Sequence, residues 1–100
     1  MTGLKDYTHY QSILRRQLPE LSEYYGVSWL GLFGSYVRGD QTLGSDLDVL
    51  VRFRKTPGMF TYLALEYYLT DLLGIKVDLV MADSLKPRVE KRVLAEVVAI

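Results

Sequence analysis

Four short pieces of the sequence carry residue types that can do chemistry: Gly34-Ser35, Arg38, Asp46-Leu47-Asp48 and Asp78. Asp46 and Asp48 stand two apart inside an apolar run. A strand over 46–53 alternates its side chains between faces, so both carboxylates project from the same side. Two acids side by side repel, and leaving them unpaired is costly. A hard divalent cation removes that cost, and Mg²⁺ takes one or two carboxylates together with phosphate oxygens. Asp78 sits in the equally apolar VDLV, where a lone acid rarely stays without a partner. Alone, it fits a buried salt bridge to Lys76, Arg52 or Arg38 as well as it fits a metal. With Asp46 and Asp48 added, three carboxylates on neighbouring strands are too many for the local cations, and a metal cluster accounts for all three together.

Such a cluster suits phosphoryl-type transfer. One cation orients a triphosphate and neutralises charge at the leaving oxygen, and a second cation or a base prepares the attacking hydroxyl. Asp46 and Asp48 are expected to hold the nucleotide metal. Asp78 is expected to complete a second site and to accept the proton of the attacking hydroxyl. Gly34 lets the backbone approach phosphates, and the start of a helix offers free N–H groups to an anion. Ser35 adds a hydroxyl, and Arg38 lies one turn on, within reach of a phosphate. A strand-to-helix turn that needs only a glycine and a cap remains the alternative for Gly34-Ser35.

The elements that must position these residues follow from periodicity. Leu14, Leu18, Leu21 and Tyr25 mark one stripe of a helix over Leu4–Tyr25, with Pro19 as a point of kink or restart and Gly26 as its stop. Its His9, the only histidine, suits a surface or packing role. Val27–Phe33 is a buried strand. A sharp turn at Gly34-Ser35 leads into a short helix from Tyr36 to about Gly39, which ends it. After a polar loop, the second strand spans 46–54. Asp46, Asp48, Leu50 and Arg52 share one of its faces; Leu47, Val49, Val51 and Phe53 line the other, against the core. Met59–Leu73 is a helix stopped by Gly74, with Leu65, Leu69, Leu72 and Leu73 inward; its tyrosines 62, 67 and 68 suit packing, or a partner surface. Ile75–Met81 is the third strand. The last helix runs from Ser84, its expected cap, to about Glu96, with Pro87 in its first turn, and 97–100 can add a short extended segment.

The composition limits the partners. One hundred residues, 49% of them hydrophobic, suffice for one compact core, so a single domain over 1–100 is expected. Twelve basic and twelve acidic residues give zero net charge, which argues against general nucleic-acid binding. The absence of cysteine removes disulfides and thiolate metal sites. No apolar run approaches the ~18 residues of a membrane span, no signal-peptide pattern is read at the N-terminus, and the cytoplasm is the expected location.

Gly34-Ser35, ten intervening residues and Asp46-Leu47-Asp48 resemble the GSx10DxD signature of the nucleotidyltransferase superfamily related to DNA polymerase β. LFGSYVRG, SDLDVLV, LLGIKVDLV and the closing LKPRVEKRVLAEVV extend the resemblance over almost the whole chain, and it is nearest to the minimal nucleotidyltransferases of prokaryotes. That resemblance implies nucleotide phosphates at Gly34 and Ser35, Mg²⁺ on Asp46 and Asp48, Asp78 as third carboxylate, and Arg38 at a nucleotide-binding position where members of the family often have arginine. It also implies two Mg²⁺ ions, ATP as substrate, AMP transfer, and a HEPN-type toxin as partner and acceptor.

The expected fold is α/β: a small twisted mixed sheet of three main strands, helices packed on one face and the acids on the other, as in polymerase β-like nucleotidyltransferases. With one helix left after the third strand, no acceptor domain is expected, so a partner protein or a second subunit must bring its own docking surface. The expected function is Mg²⁺-dependent transfer of AMP to a hydroxyl of a partner protein, as the antitoxin of a toxin–antitoxin pair. Two rivals stand beside it: neutralisation by binding alone, and transfer to a small molecule or an RNA end.

Overall fold

A computed structural model describes residues 5–100. The first helix, α1, spans Tyr7–Tyr25, and the expected start at Leu4 lies outside the described residues. Asp6 caps α1, its side chain accepting the Thr8 N–H at 3.0 Å. The helix runs through Pro19 without a break and ends on Gly26, as expected.

Then follow β1 (Val27–Phe33), α2 (Ser35–Arg38), β2 (Leu47–Phe53), α3 (Met59–Leu73), β3 (Val77–Met81), a 3₁₀ turn at Ala82–Ser84, α4 (Pro87–Glu96) and β4 (Val98–Ala99). The sheet order is β3-β2-β1-β4. The β2–β3 pair is parallel, with α3 as its crossover, and the pairs β1–β2 and β1–β4 are antiparallel. This is the mixed sheet expected, and the closing extended segment is its fourth strand.

The last helix begins at Pro87, not at Ser84. A residue before proline is pushed out of the helical region, and Lys86 is extended at φ −68°, ψ 149°. Ser84 instead donates its hydroxyl to the Met81 carbonyl at 2.8 Å.

The larger core lies on one face, where Leu14 and Leu21 of α1 and Leu65 and Leu69 of α3 meet Leu30 and Leu32 of β1, Leu47 and Val49 of β2, and Leu79 of β3. A bulge at Ser28 sets this phase. Val27 pairs with Phe53 and Trp29 with Arg52, so two residues of β1 span one step of β2. Val27 therefore joins the larger core while Trp29 turns to the opposite face.

That opposite face is not left open. Leu50 is fully buried beneath Val93, with Val89, Val80 and Phe33 around it. The helices α1 and α3 occupy one face as expected, but α4 packs over part of the acid-bearing one. The reason is Leu50, an apolar residue among Asp48 and Arg52, which needs a cover. The free edge of β3 is also fastened: Glu66 accepts the Leu79 N–H at 2.9 Å, Thr70 accepts the Val77 N–H at 3.2 Å, and the Tyr62 hydroxyl donates to the Leu79 carbonyl.

Candidate active site

Strand register places the acids. Phe33 pairs with Asp48, and Asp48 pairs with Asp78, so three residues on three strands form one row across the sheet. Gly34 follows Phe33 directly, so the turn into α2 rises beside Asp48. Its backbone, at φ 84° and ψ −156°, lies in a region essentially reserved for glycine. A Cβ there would stand 2.0 Å from Asp48 Oδ2. Glycine is required twice at this position, by the turn and by the approach of the carboxylate. Four residues of α2 then bring Arg38 back toward the same face, and Gly39 ends the helix as expected.

The charges on this face are unevenly matched. Asp48 is half-buried, and its carboxyl is pushed up to about 6, first by burial and then by the charges of Asp78 and Asp46 and a hydrogen bond with Asp78; Arg38 opposes this. Asp78 is exposed, not buried, because β3 alternates Val77 and Leu79 inward with Asp78 outward. None of the three cations considered for it pairs with it. Lys76 reaches Asp46 at 3.5 Å, Arg52 reaches Asp83 at 3.3 Å, and Arg38 reaches Asp40 and Glu96 at 3.4 and 3.2 Å.

Asp46 stands one residue before β2, where the Leu47 N–H donates to the Lys76 carbonyl at 2.9 Å. Asp48 and Asp78 thus come together, while Asp46 turns to Lys76. Among the described residues no group of three His, Cys, Asp or Glu side chains converges closely enough to hold a metal ion. The Asp48–Asp78 pair offers hard oxygen donors, and a divalent cation offsets the repulsion between them. That suits a cation held by two protein carboxylates and completed by phosphate oxygens.

A cavity of about 440 Å³ opens beside the row, lined by Gly34, Arg38, Asp48, Val89, Arg92 and Glu96 among others. Ser35, Asp46 and Asp78 do not line it. Glu96 was not expected here. Its carboxylate accepts the Gly34 N–H at 2.6 Å and the Arg38 guanidinium at 3.2 Å. One signal for it exists in the sequence. An acid in the last turn of a helix opposes the helix dipole, so Glu96 at the end of α4 needs a partner elsewhere. His9, as expected, takes no part: it is exposed on α1 with its ring edge-on to Tyr10.

Residues 14–100 match the family model of the nucleotidyltransferase domain. The chain belongs to that family. This nucleotidyltransferase is 50% identical over 88 residues to the protein adenylyltransferase MntA of Thermococcus cleftensis, covering 88% of this chain and 89% of that one. It also resembles a solved protein assigned as a minimal nucleotidyltransferase, with TM-score 0.76, 29% identity, 99% of this chain and all of that one covered. A solved toxin–antitoxin with AMP-PNP superposes with TM-score 0.67 at 27% identity, over 89% of this chain and 67% of that one. The family and the mixed-sheet fold are those that the GSx10DxD spacing led us to expect.

Proposed function

We propose that this nucleotidyltransferase moves AMP from ATP, with Mg²⁺, onto a hydroxyl of a partner protein, and that the partner is a HEPN-type toxin which it neutralises in the cytoplasm. The observation that carries this is the Asp48–Asp78 pair in register beside the Gly34 turn and Arg38. The identity to an archaeal protein adenylyltransferase supports the reaction class, and the likeness to a toxin–antitoxin with AMP-PNP supports the nucleotide and the partner class.

Asp48 and Asp78, with Asp46 at the mouth of β2, would hold the divalent cation. A cation there would neutralise the triphosphate and orient it. The Gly34 N–H and Arg38 bind phosphate oxygens, with Ser35 at the same turn. Asp78, exposed at the end of the row, takes the proton of the attacking hydroxyl. The hydroxyl oxygen bonds to the α-phosphorus, the bond from that phosphorus to the bridging oxygen breaks, and pyrophosphate leaves.

The test is incubation with labelled ATP, Mg²⁺ and the product of the neighbouring gene, followed by mass spectrometry of that product. An added AMP on a hydroxyl side chain is expected. Asp78→Asn is expected to fold and bind nucleotide while transfer falls about 10²–10⁴-fold. A folded Asp78→Asn protein that transfers at the wild-type rate would take Asp78 out of the chemistry.

One observation favours a second reading, neutralisation by binding alone. Met59, Phe60, Leu63 and Tyr67 project from α3 into solvent, Phe60 with 88% of its surface exposed. Retained neutralisation by Asp46→Asn, with no modified partner, would support it.

A further inference from the structure

Glu96 stands against its own helix. It closes α4, where the helix dipole disfavours an acid, and it lines the same cavity as Asp48. Yet its carboxylate is held by the Gly34 N–H at 2.6 Å and by the Arg38 guanidinium at 3.2 and 3.4 Å. Arg38 is more than half exposed and shared with Asp40, whereas Glu96 keeps only about a quarter of its side chain in solvent. The two donors that the proposed function gives to a phosphate are thus already engaged by an anion of this chain. A carboxylate presents two oxygens to an amide and a guanidinium much as two oxygens of a phosphate do. An incoming polyphosphate meets the same donors, with a negative charge seated on them.

We infer that Glu96 is a tethered competitor of phosphate: its carboxylate occupies the Gly34 N–H and Arg38 and is displaced when a polyphosphate binds. This rests on the reading of Gly34 and Arg38 as the phosphate-binding groups. Every ligand that takes these donors bears the same cost of displacement, so Glu96 sets the affinity threshold of the site. A triphosphate with its cation brings many further contacts and still binds, whereas a single phosphate brings few.

The test is calorimetric titration of the full chain and of Glu96→Gln with inorganic tripolyphosphate, inorganic phosphate, AMP and ATP–Mg²⁺. Glutamine still accepts the Gly34 N–H but carries no charge. The variant is expected to bind tripolyphosphate and ATP–Mg²⁺ about tenfold more tightly, the scale of one charge-assisted hydrogen bond, and to gain by a similar factor toward phosphate and AMP. Equal or weaker binding by a folded variant, with binding by the wild type intact, would overturn the inference and leave Glu96 as a group that positions Arg38. Should neither protein bind ATP–Mg²⁺ or tripolyphosphate, the phosphate reading of Gly34 and Arg38 itself fails, and this inference with it. A second measurement on the wild type does not depend on the variant's folding. Tripolyphosphate is expected to shift both the Gly34 amide and the Glu96 side-chain carboxyl resonances, and binding that leaves the carboxyl unmoved would also refute displacement.

Discussion

Burial and two acidic neighbours hold the Asp48 carboxyl at about 6, against a usual value of 3.8. Its folded pKa lies above its unfolded one, so the folded state binds this proton more tightly. The stability it contributes is therefore fully present below about 4 and is lost as pH rises through about 6. In metal-free protein, the melting temperature of the wild type minus that of Asp48→Asn is expected to fall across this window and level off above it. At pH 7 the variant should melt higher; a flat difference curve would show that neither burial nor the neighbouring acids raise the Asp48 carboxyl. Gly34 gives a steric counterpart. Alanine there would combine a glycine-only backbone with a Cβ 2.0 Å from Asp48 Oδ2, for a loss of roughly 2–4 kcal/mol in denaturant unfolding. Gly39, also at positive φ but with nothing within 4 Å of an added Cβ, should lose only about 1–2 kcal/mol on the same change.

Among the elements, β3 is the one most exposed to misuse. It is an edge strand five residues long, and an unpaired strand edge is a template for association. The helix α3 removes that hazard: Glu66 and Thr70 accept two of its N–H groups, and Tyr62 donates to one of its carbonyls. The same contacts fix the height of β3 against β2 and so keep Asp78 opposite Asp48. Glu66→Ala is expected to leave the Leu79 N–H without its partner at about 1–3 kcal/mol. It should also produce concentration-dependent association in sedimentation. A monomeric variant of unchanged stability would show that β3 is held by strand pairing alone. At the other end of the sheet the Arg54 guanidinium donates to the Ser22 carbonyl at 2.7 Å and to its hydroxyl at 2.6 Å, pinning the end of α1 to the end of β2.

At the scale of the whole molecule, the sheet separates a larger core beneath α1 and α3 from a smaller one around Leu50 and α4. The cavity lies where the smaller core gives way to the acids, bounded by Gly34 on one side and α4 on the other. A nucleotide bound there touches elements distant in sequence and should stabilise the entire fold. At a ligand concentration about 100 times Kd the gain is about 2.7 kcal/mol, or roughly 10–20 °C for a chain of this size. Thermal melts with ATP are expected to show this shift with Mg²⁺ and lose most of it in EDTA. An equal shift under both conditions would count against a cation bridging the nucleotide to Asp48 and Asp78.

The chain order of helices and strands was legible because each carries its own period and its own stop. Leu65 and Leu69 repeat at helical spacing, Leu47, Val49 and Val51 alternate, and Gly26 and Gly74 end their helices in the left-handed region. The approach of Gly34 to Asp48 was legible as well, since the turn after one strand and the start of the next meet when the two strands pair, whereas Asp46 turns away to Lys76. Local pattern could not decide what lies across the sheet. Asp78 reads in sequence as a buried acid, yet it is exposed: alternation puts it opposite Val77 and Leu79, and only the tertiary packing leaves that face of β3 uncovered at this position. The bulge at Ser28 depends on two strands at once. Leu50 reads as a member of an open face, and its burial was settled by a helix forty residues further on. Glu96 is farther still: 62 residues separate it from Gly34. Their hydrogen bond exists only because the β1–β4 pairing and the packing of Val93 on Leu50 bring the end of α4 to the turn after β1.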